Sequence, residues 1–287
     1  MIRFSFQRAT ALGLGLGLIG ALAFTPAQSH AQSPGFDKYK SLGPDASAVQ
    51  EINSNGYTMF VVANKPPRPG MTWANGTSGS PNSYDSNNTD GILRRAASWG
   101  IQVIASNSGS TGNGQAVSQG VGVLMGSTFN VTNRFCASGH SQGGSGAVNA
   151  TRLNANIICT IPVEPDNRFT ASSNGRDIRG PALILCGTAD RLAPCGSTTS
   201  GSNGSGLYNQ TPAGVPVAQV FVTGAGHTGS GSPTGNGGLF SALVTAQMAA
   251  VLLNDPDAQR SMYAPNVLAG AAGVQQIRSK GTYPAKP

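Results

Sequence analysis

The chain has 287 residues, 39% of them apolar, with a formal charge of +7; that is enough for one domain with a sizeable core. Its Lys and Arg are scattered and not interleaved with aromatics, which argues against a nucleic-acid surface. No C-x-x-C spacing occurs and only two histidines lie beyond residue 31, so no metal site is expected.

Arg3 and Arg8 precede an uncharged apolar run from Ala11 to Phe24, and Ser29-His30-Ala31 follows. This is the order of a secretory signal peptide cleaved after Ala31. The run is shorter than the roughly 20 residues that span a bilayer. The expectation is a signal peptide over 1–31 and a single domain over 32–287, exported to the periplasm or beyond, monomeric and without a membrane anchor. Loss of Arg3 and Arg8 lowers the charge to +5. Cys136, Cys159, Cys186 and Cys195 then reside where disulfides persist. Four cysteines allow three pairings. The expected one joins Cys186 to Cys195, a short loop that would pin the turn carrying Asp190, and leaves Cys136 with Cys159.

In chain order, Tyr57 to Ala63 reads as a strand and Asp90 to Trp99 as a helix ended by Gly100. Ile101 to Ala105 reads as the next strand. A helix near 114–125, a strand near 133–138 and a helix after Ser141 follow, then strands near 157–163, 181–186 and 217–223. Leu239, Phe240, Leu243, Ala246, Ala250 and Leu253 mark a long amphipathic helix. This alternation predicts an α/β fold with a mostly parallel sheet covered on both faces. The Gly/Ser-rich runs Ser106–Gly114, Ser197–Gly206 and Thr228–Gly238 read as loops at strand C-termini, where open parallel sheets bind ligands.

Gly139-His140-Ser141-Gln142-Gly143 is a G-x-S-x-G match, weak by itself in a chain with 40 glycines. Its setting, after a strand and before a small-residue helix, is that of a nucleophile elbow. A serine hydroxyl needs a base. His140 is adjacent to Ser141 and directed elsewhere by the turn, so His227, in a loop after a strand, is the candidate general base. Asp190 ends a buried strand between Ser141 and His227 in the chain, the order Ser, Asp, His, and is the candidate acid; Glu164 and Asp166 are the runners-up. The candidate oxyanion donors are the backbone N–H groups of Gln142 and Thr77. Trp73 and Asp166 are the candidate substrate-contacting residues. Asn75-Gly76-Thr77 also matches a glycosylation sequon, a reading that a bacterial export context weakens.

Trp99-Gly100 before a strand, the elbow at Ser141, the Asp190 segment running to Ala193-Pro194, the Gly-x-x-His turn at His227 and the tail from Leu253 to Tyr263 resemble the secreted α/β-hydrolases. These include bacterial cutinases and polyester hydrolases; dienelactone hydrolases and polyhydroxyalkanoate depolymerases are more distantly similar. The resemblance spans about Tyr57 to Tyr263. It implies an α/β-hydrolase fold and cleavage of carboxylic esters through an acyl-enzyme, with no cofactor. Those polyester hydrolases carry Met where this chain has Gln142 and an aromatic near Asp166, so a more polar cleft is expected here. About 17 residues separate the strand ending at Val163 from the next near Pro181, too few for an independent lid, which predicts an open groove suited to an extended or polymeric ester.

Overall fold

The computed structural model describes residues 36–85, 90–166, 173–195, 204–231, 235–263, 268 and 271–281; the expected signal peptide lies outside them. The strands are β1 (Gln50–Ser54), β2 (Tyr57–Val61), β3 (Arg68–Ala74), β4 (Gln102–Ser106), β5 (Val131–His140), β6 (Ile157–Val163), β7 (Ala182–Gly187), β8 (Val217–Val222) and β9 (Val274–Lys280). They form one nine-stranded sheet in the order β1-β2-β4-β3-β5-β6-β7-β8-β9. The neighbours from β4 through β3 and β5 to β8 pair in parallel, and β1, β2 and β9 join antiparallel.

The helices are α1 (Ile92–Ser98), α2 (Gln115–Met125), α3 (Gln142–Leu153), α4 (Gly204–Gln210), α5 (Gly235–Leu252) and α6 (Pro256–Tyr263). Strand side chains alternate between the two faces. Phe60, Met71, Trp73, Val103 and Cys136 pack on the face with α1, α5 and α6. Met59, Val61, Ile104, Phe135 and Ala137 pack with α2 and α3 on the other. Burial on both faces is what a parallel sheet requires.

The expected strands and helices over 57–163 and 181–223 are present within one to three residues at their ends. The reading of α5 as amphipathic is corrected: it is buried nearly all round, from Phe240 through Leu252, because α1 and α6 cover the side turned away from the sheet. It is also long and apolar enough to cross a membrane by composition, but 78% of it is buried inside the protein. Gly235–Gly238 and Gly204–Gly206, read as loop, are the first turns of α5 and α4.

Both expected cysteine pairs are joined. Cys136 of β5 faces its register partner Cys159 of β6, with Cα atoms 4.5 Å apart. Cys186, at the end of β7, bonds to Cys195 with Cα atoms 6.0 Å apart. Two such bridges fit an oxidising compartment.

Candidate active site

The parallel strands deliver their C-terminal ends to one edge of the sheet, and the site assembles there. β5 ends at His140 and α3 begins at Gln142. Between them Ser141 takes φ 56°, ψ −125°, a conformation that L-residues reach only under strain and the one that the expected elbow would need. The flanking glycines are required by contact. A Cβ on Gly139 would lie 2.4 Å from the Gly143 carbonyl oxygen, and a Cβ on Gly143 would lie 2.2 Å from that of Ala74. Ser141 N–H donates to Val163 O (3.0 Å) and Asp166 N–H to Ser141 O (3.0 Å), tying the turn to the exit of β6.

Exits of β7 and β8 are laced together: Thr188 N–H donates to Val222 O and Ala189 N–H to Ala225 O. The lacing brings Asp190 against His227. Asp190 Oδ2 lies 2.8 Å from His227 Nδ1, and His227 Nε2 lies 2.8 Å from Ser141 Oγ. The other Asp190 oxygen accepts the N–H groups of Leu192 and Ala193, each at 2.8 Å. Burial alone would raise the Asp190 carboxyl, but the bonds from His227 and these N–H groups hold it below its ordinary value. Burial likewise disfavours the His227 imidazolium, yet the hydrogen bond and charge of Asp190 raise its pKa above 6.5. Ser141, His227 and Asp190 are therefore brought together in the predicted arrangement.

The two ring nitrogens of His227 are held by Asp190 and Ser141, and the runner-up acids stand elsewhere in the site. Glu164 is fully buried at the end of β6, with an oxygen 3.3 Å from His140 Nε2. Burial and the charge of Asp190 push its carboxyl up to about 8. Asp166 lines a crevice of about 670 Å³ that opens onto Ser141 and His227.

Thr77, Ser78, Tyr84, Leu192 and Thr228 line the same crevice. Thr77, the candidate donor, is exposed at its wall; Gln142, at the first position of α3, is buried. Two expectations are corrected. Trp73 does not contact substrate space: it is fully buried in β3, edge-on to Tyr84 at 4.9 Å between ring centroids. Its neighbour Tyr84 reaches the crevice instead. The Gln142 side chain does not make the crevice polar, because it turns away to donate to Gly109 O. The sequon is structural, since Asn75 is fully buried and donates its amide to Ser106 O.

Of the Gly/Ser runs, Ser106–Gly114 buttresses the site without lining it. Thr111 Oγ1 donates to Asn75 O (2.9 Å) and Ser78 N–H to Gly109 O (3.4 Å), holding the loop that carries Thr77. Thr228 and Gly231 of the third run do line the crevice. Comparison with protein-family models finds no match, and no curated protein matches the chain.

Tyr84 lies in a polar stretch without periodicity and carries no sequence signal, and His140 is no candidate for the base because it adjoins Ser141. The structure makes both central to a second network. Gly76 N–H donates to Tyr84 Oη (2.9 Å), Tyr84 Oη lies 2.9 Å from His140 Nδ1, and His140 Nε2 lies 2.6 Å from the His227 carbonyl oxygen. Potential metal-ligating atoms of His140, Glu164 and His227 lie within 4.8 Å of one another, a grouping that a count of histidines along the chain does not reveal. Both ring nitrogens of His227 are already held by Ser141 and Asp190, so a cation there would have to displace these bonds.

Proposed function

We propose that this chain is a serine hydrolase of the α/β-hydrolase fold acting on carboxylic esters. The observation that carries the reading is the unbroken chain from Ser141 Oγ through His227 to Asp190, with both contacts at 2.8 Å. The placement supports it as well: the serine follows β5, the acid follows β7 and the histidine follows β8, in the chain order of α/β-hydrolases.

In this reading His227 Nε2 takes the Ser141 proton as Oγ attacks the ester carbonyl carbon. Asp190 holds the other ring nitrogen as donor and stabilises the imidazolium. The oxyanion is received by the N–H groups of Thr77 and Gln142, aided by the positive end of α3. Collapse returns the proton from His227 to the departing alcohol. A water molecule then repeats the sequence on the acyl-enzyme, releasing the acid and restoring Ser141.

The crevice supports an extended acyl group. Its wall is mostly small residues, and Leu192 presents an apolar side chain that is 56% exposed at its edge. Among the described residues, the connection from β6 to β7 adds only a single 3-10 turn at Gly175–Asp177. An open cleft of this kind suits the middle of a long or polymeric ester, and the disulfides suit an exported enzyme.

Hydrolysis of p-nitrophenyl butyrate tests the reading. Ser141→Ala and His227→Ala are each expected to lower turnover by about 10⁴-fold or more while the far-ultraviolet circular dichroism stays unchanged. Near wild-type turnover by His227→Ala would refute it.

A further inference from the structure

We propose that Tyr84 and His140 form a positioning relay that fixes the loop of the oxyanion donor and the loop of the general base relative to each other. The proposal rests on the serine-hydrolase reading of the same site. It concerns residues that touch neither the scissile bond nor the Asp190 carboxylate.

Hydrogen-bond accounting gives the relay a direction. The main-chain carbonyl of His227 can only accept, so the nitrogen 2.6 Å from it, His140 Nε2, carries the proton. In a neutral imidazole Nδ1 is then a bare acceptor. The group beside it is the Tyr84 hydroxyl at 2.9 Å, which therefore donates. Its oxygen remains free to accept, and Gly76 N–H donates to it at 2.9 Å. The run from Gly76 through Tyr84 and His140 to the His227 carbonyl uses each donor once. A doubly protonated His140 would leave the Tyr84 proton without this acceptor. Burial and the nearby His227 charge hold His140 down to about 4, which keeps it neutral across the working range.

The relay ends at two functional backbones. The Gly76 N–H lies on the peptide unit immediately before the one that carries the Thr77 N–H, so anchoring it fixes the backbone leading into the proposed donor. The His227 carbonyl belongs to the residue whose side chain acts as base. His140, between them, is covalently next to Ser141. Nucleophile, base and oxyanion donor are thus referred to one residue. The rings also pack in a row, with centroids 5.6 Å apart for Tyr84 and His140 and 4.8 Å for His140 and His227. Rigid support of this sort matters, because a misplacement of about 1 Å can cost about a hundredfold in rate.

The experiment measures kcat and KM on p-nitrophenyl butyrate, with kcat normalised to the serines labelled by a p-nitrophenyl alkylphosphonate. Tyr84→Phe removes one oxygen and keeps the ring. His140→Leu removes both bonds, whereas the amide of His140→Gln can still donate to the His227 carbonyl. Tyr84→Phe and His140→Leu should each lower kcat per labelled site about 10- to 100-fold, with KM changing less than about threefold. His140→Gln should recover about tenfold of the His140→Leu loss, and the Tyr84→Phe/His140→Leu pair should lose little more than the worse single variant. Should His140→Leu fail to fold, Tyr84→Phe and His140→Gln decide the matter. Values within about twofold of wild type for Tyr84→Phe, or fully additive losses with no recovery by glutamine, would overturn the relay alone. Failure of the phosphonate to label Ser141 in the unmutated protein would overturn the hydrolase reading, and the relay with it.

Discussion

One oxygen of Asp190 holds the ring of His227 at 2.8 Å while the other holds the backbone of Leu192 and Ala193. The aspartate is at once the histidine's partner and the staple of its own loop. Because this partner raises the His227 pKa above 6.5 despite burial, and the base works only when neutral, kcat/KM should climb to its plateau with a midpoint above 6.5. Asp190→Asn should shift that midpoint downward and lower kcat by about 10⁴-fold. An unchanged midpoint in the pH–rate profile of Asp190→Asn would count against the pairing.

Glu164 and His140 form a buried pair with opposite shifts, up from 4.5 to about 8 and down from 6.5 to about 4. Between pH 4.5 and 6.5 the folded pair holds one proton, on Glu164, and the unfolded pair also holds one, on the histidine, so the pair adds no slope to stability. Above 6.5 the unfolded pair is empty while folded Glu164 keeps its proton until about 8, so stability should fall with rising pH. Glu164→Gln removes this loss: denaturant midpoints at pH 5, 6.5 and 8.5 should show the variant gaining on wild type as pH rises. A constant difference would contradict the buried neutral acid. The shifts of Glu164 arise against Asp190 and His227, so the comparison is made with both present.

Among the described residues, Leu192 is the one large exposed apolar side chain on the crevice wall. Contact with an acyl chain is worth about 0.8 kcal/mol per methylene covered. Leu192→Ser should lower the octanoate-to-acetate ratio of kcat/KM about fivefold while leaving acetate within about twofold. An unaltered ratio would place the acyl chain elsewhere.

The two disulfides should separate stability from activity. Each closes a loop, of sequence separation 23 for Cys136–Cys159 and 9 for Cys186–Cys195, and replacing either pair with serine should cost about 2–4 kcal/mol. Only the second clamps the segment that presents Asp190. At temperatures where both variants are folded, Cys186→Ser/Cys195→Ser should show the larger fall in kcat; equal falls would deny the loop that role.

Much of this site is legible in the sequence because its chemistry is carried by scarce residues. With two histidines beyond residue 31, elimination leads to His227, and strand-then-turn patterns frame Ser141 and Asp190. β1 and β9, by contrast, are short polar runs at the sheet edges, QEINS and VQQIRSK, whose pairing depends on neighbours and not on their own periodicity. β3 is masked by Pro69 and Gly70, which read as breakers, although Gly70 is there to accept the ring of Phe135. Tyr84 carries no local signal at all. Its partners lie 8 and 56 residues away, and only the folded chain brings them into reach. Trp73 misleads for a related reason: an aromatic near a loop suggests a binding wall, whereas strand alternation turns it into the core beside Tyr84.

Gly139 presses against the carbonyl of Ala74, and Gly143 against those of Ala74 and Asn75, three and two residues before Thr77. The depth of the crevice floor is therefore gauged by the thickness of a missing methyl group. Alanine at position 143 would act as a shim, pushing the end of β3 and the donor loop away from Ser141.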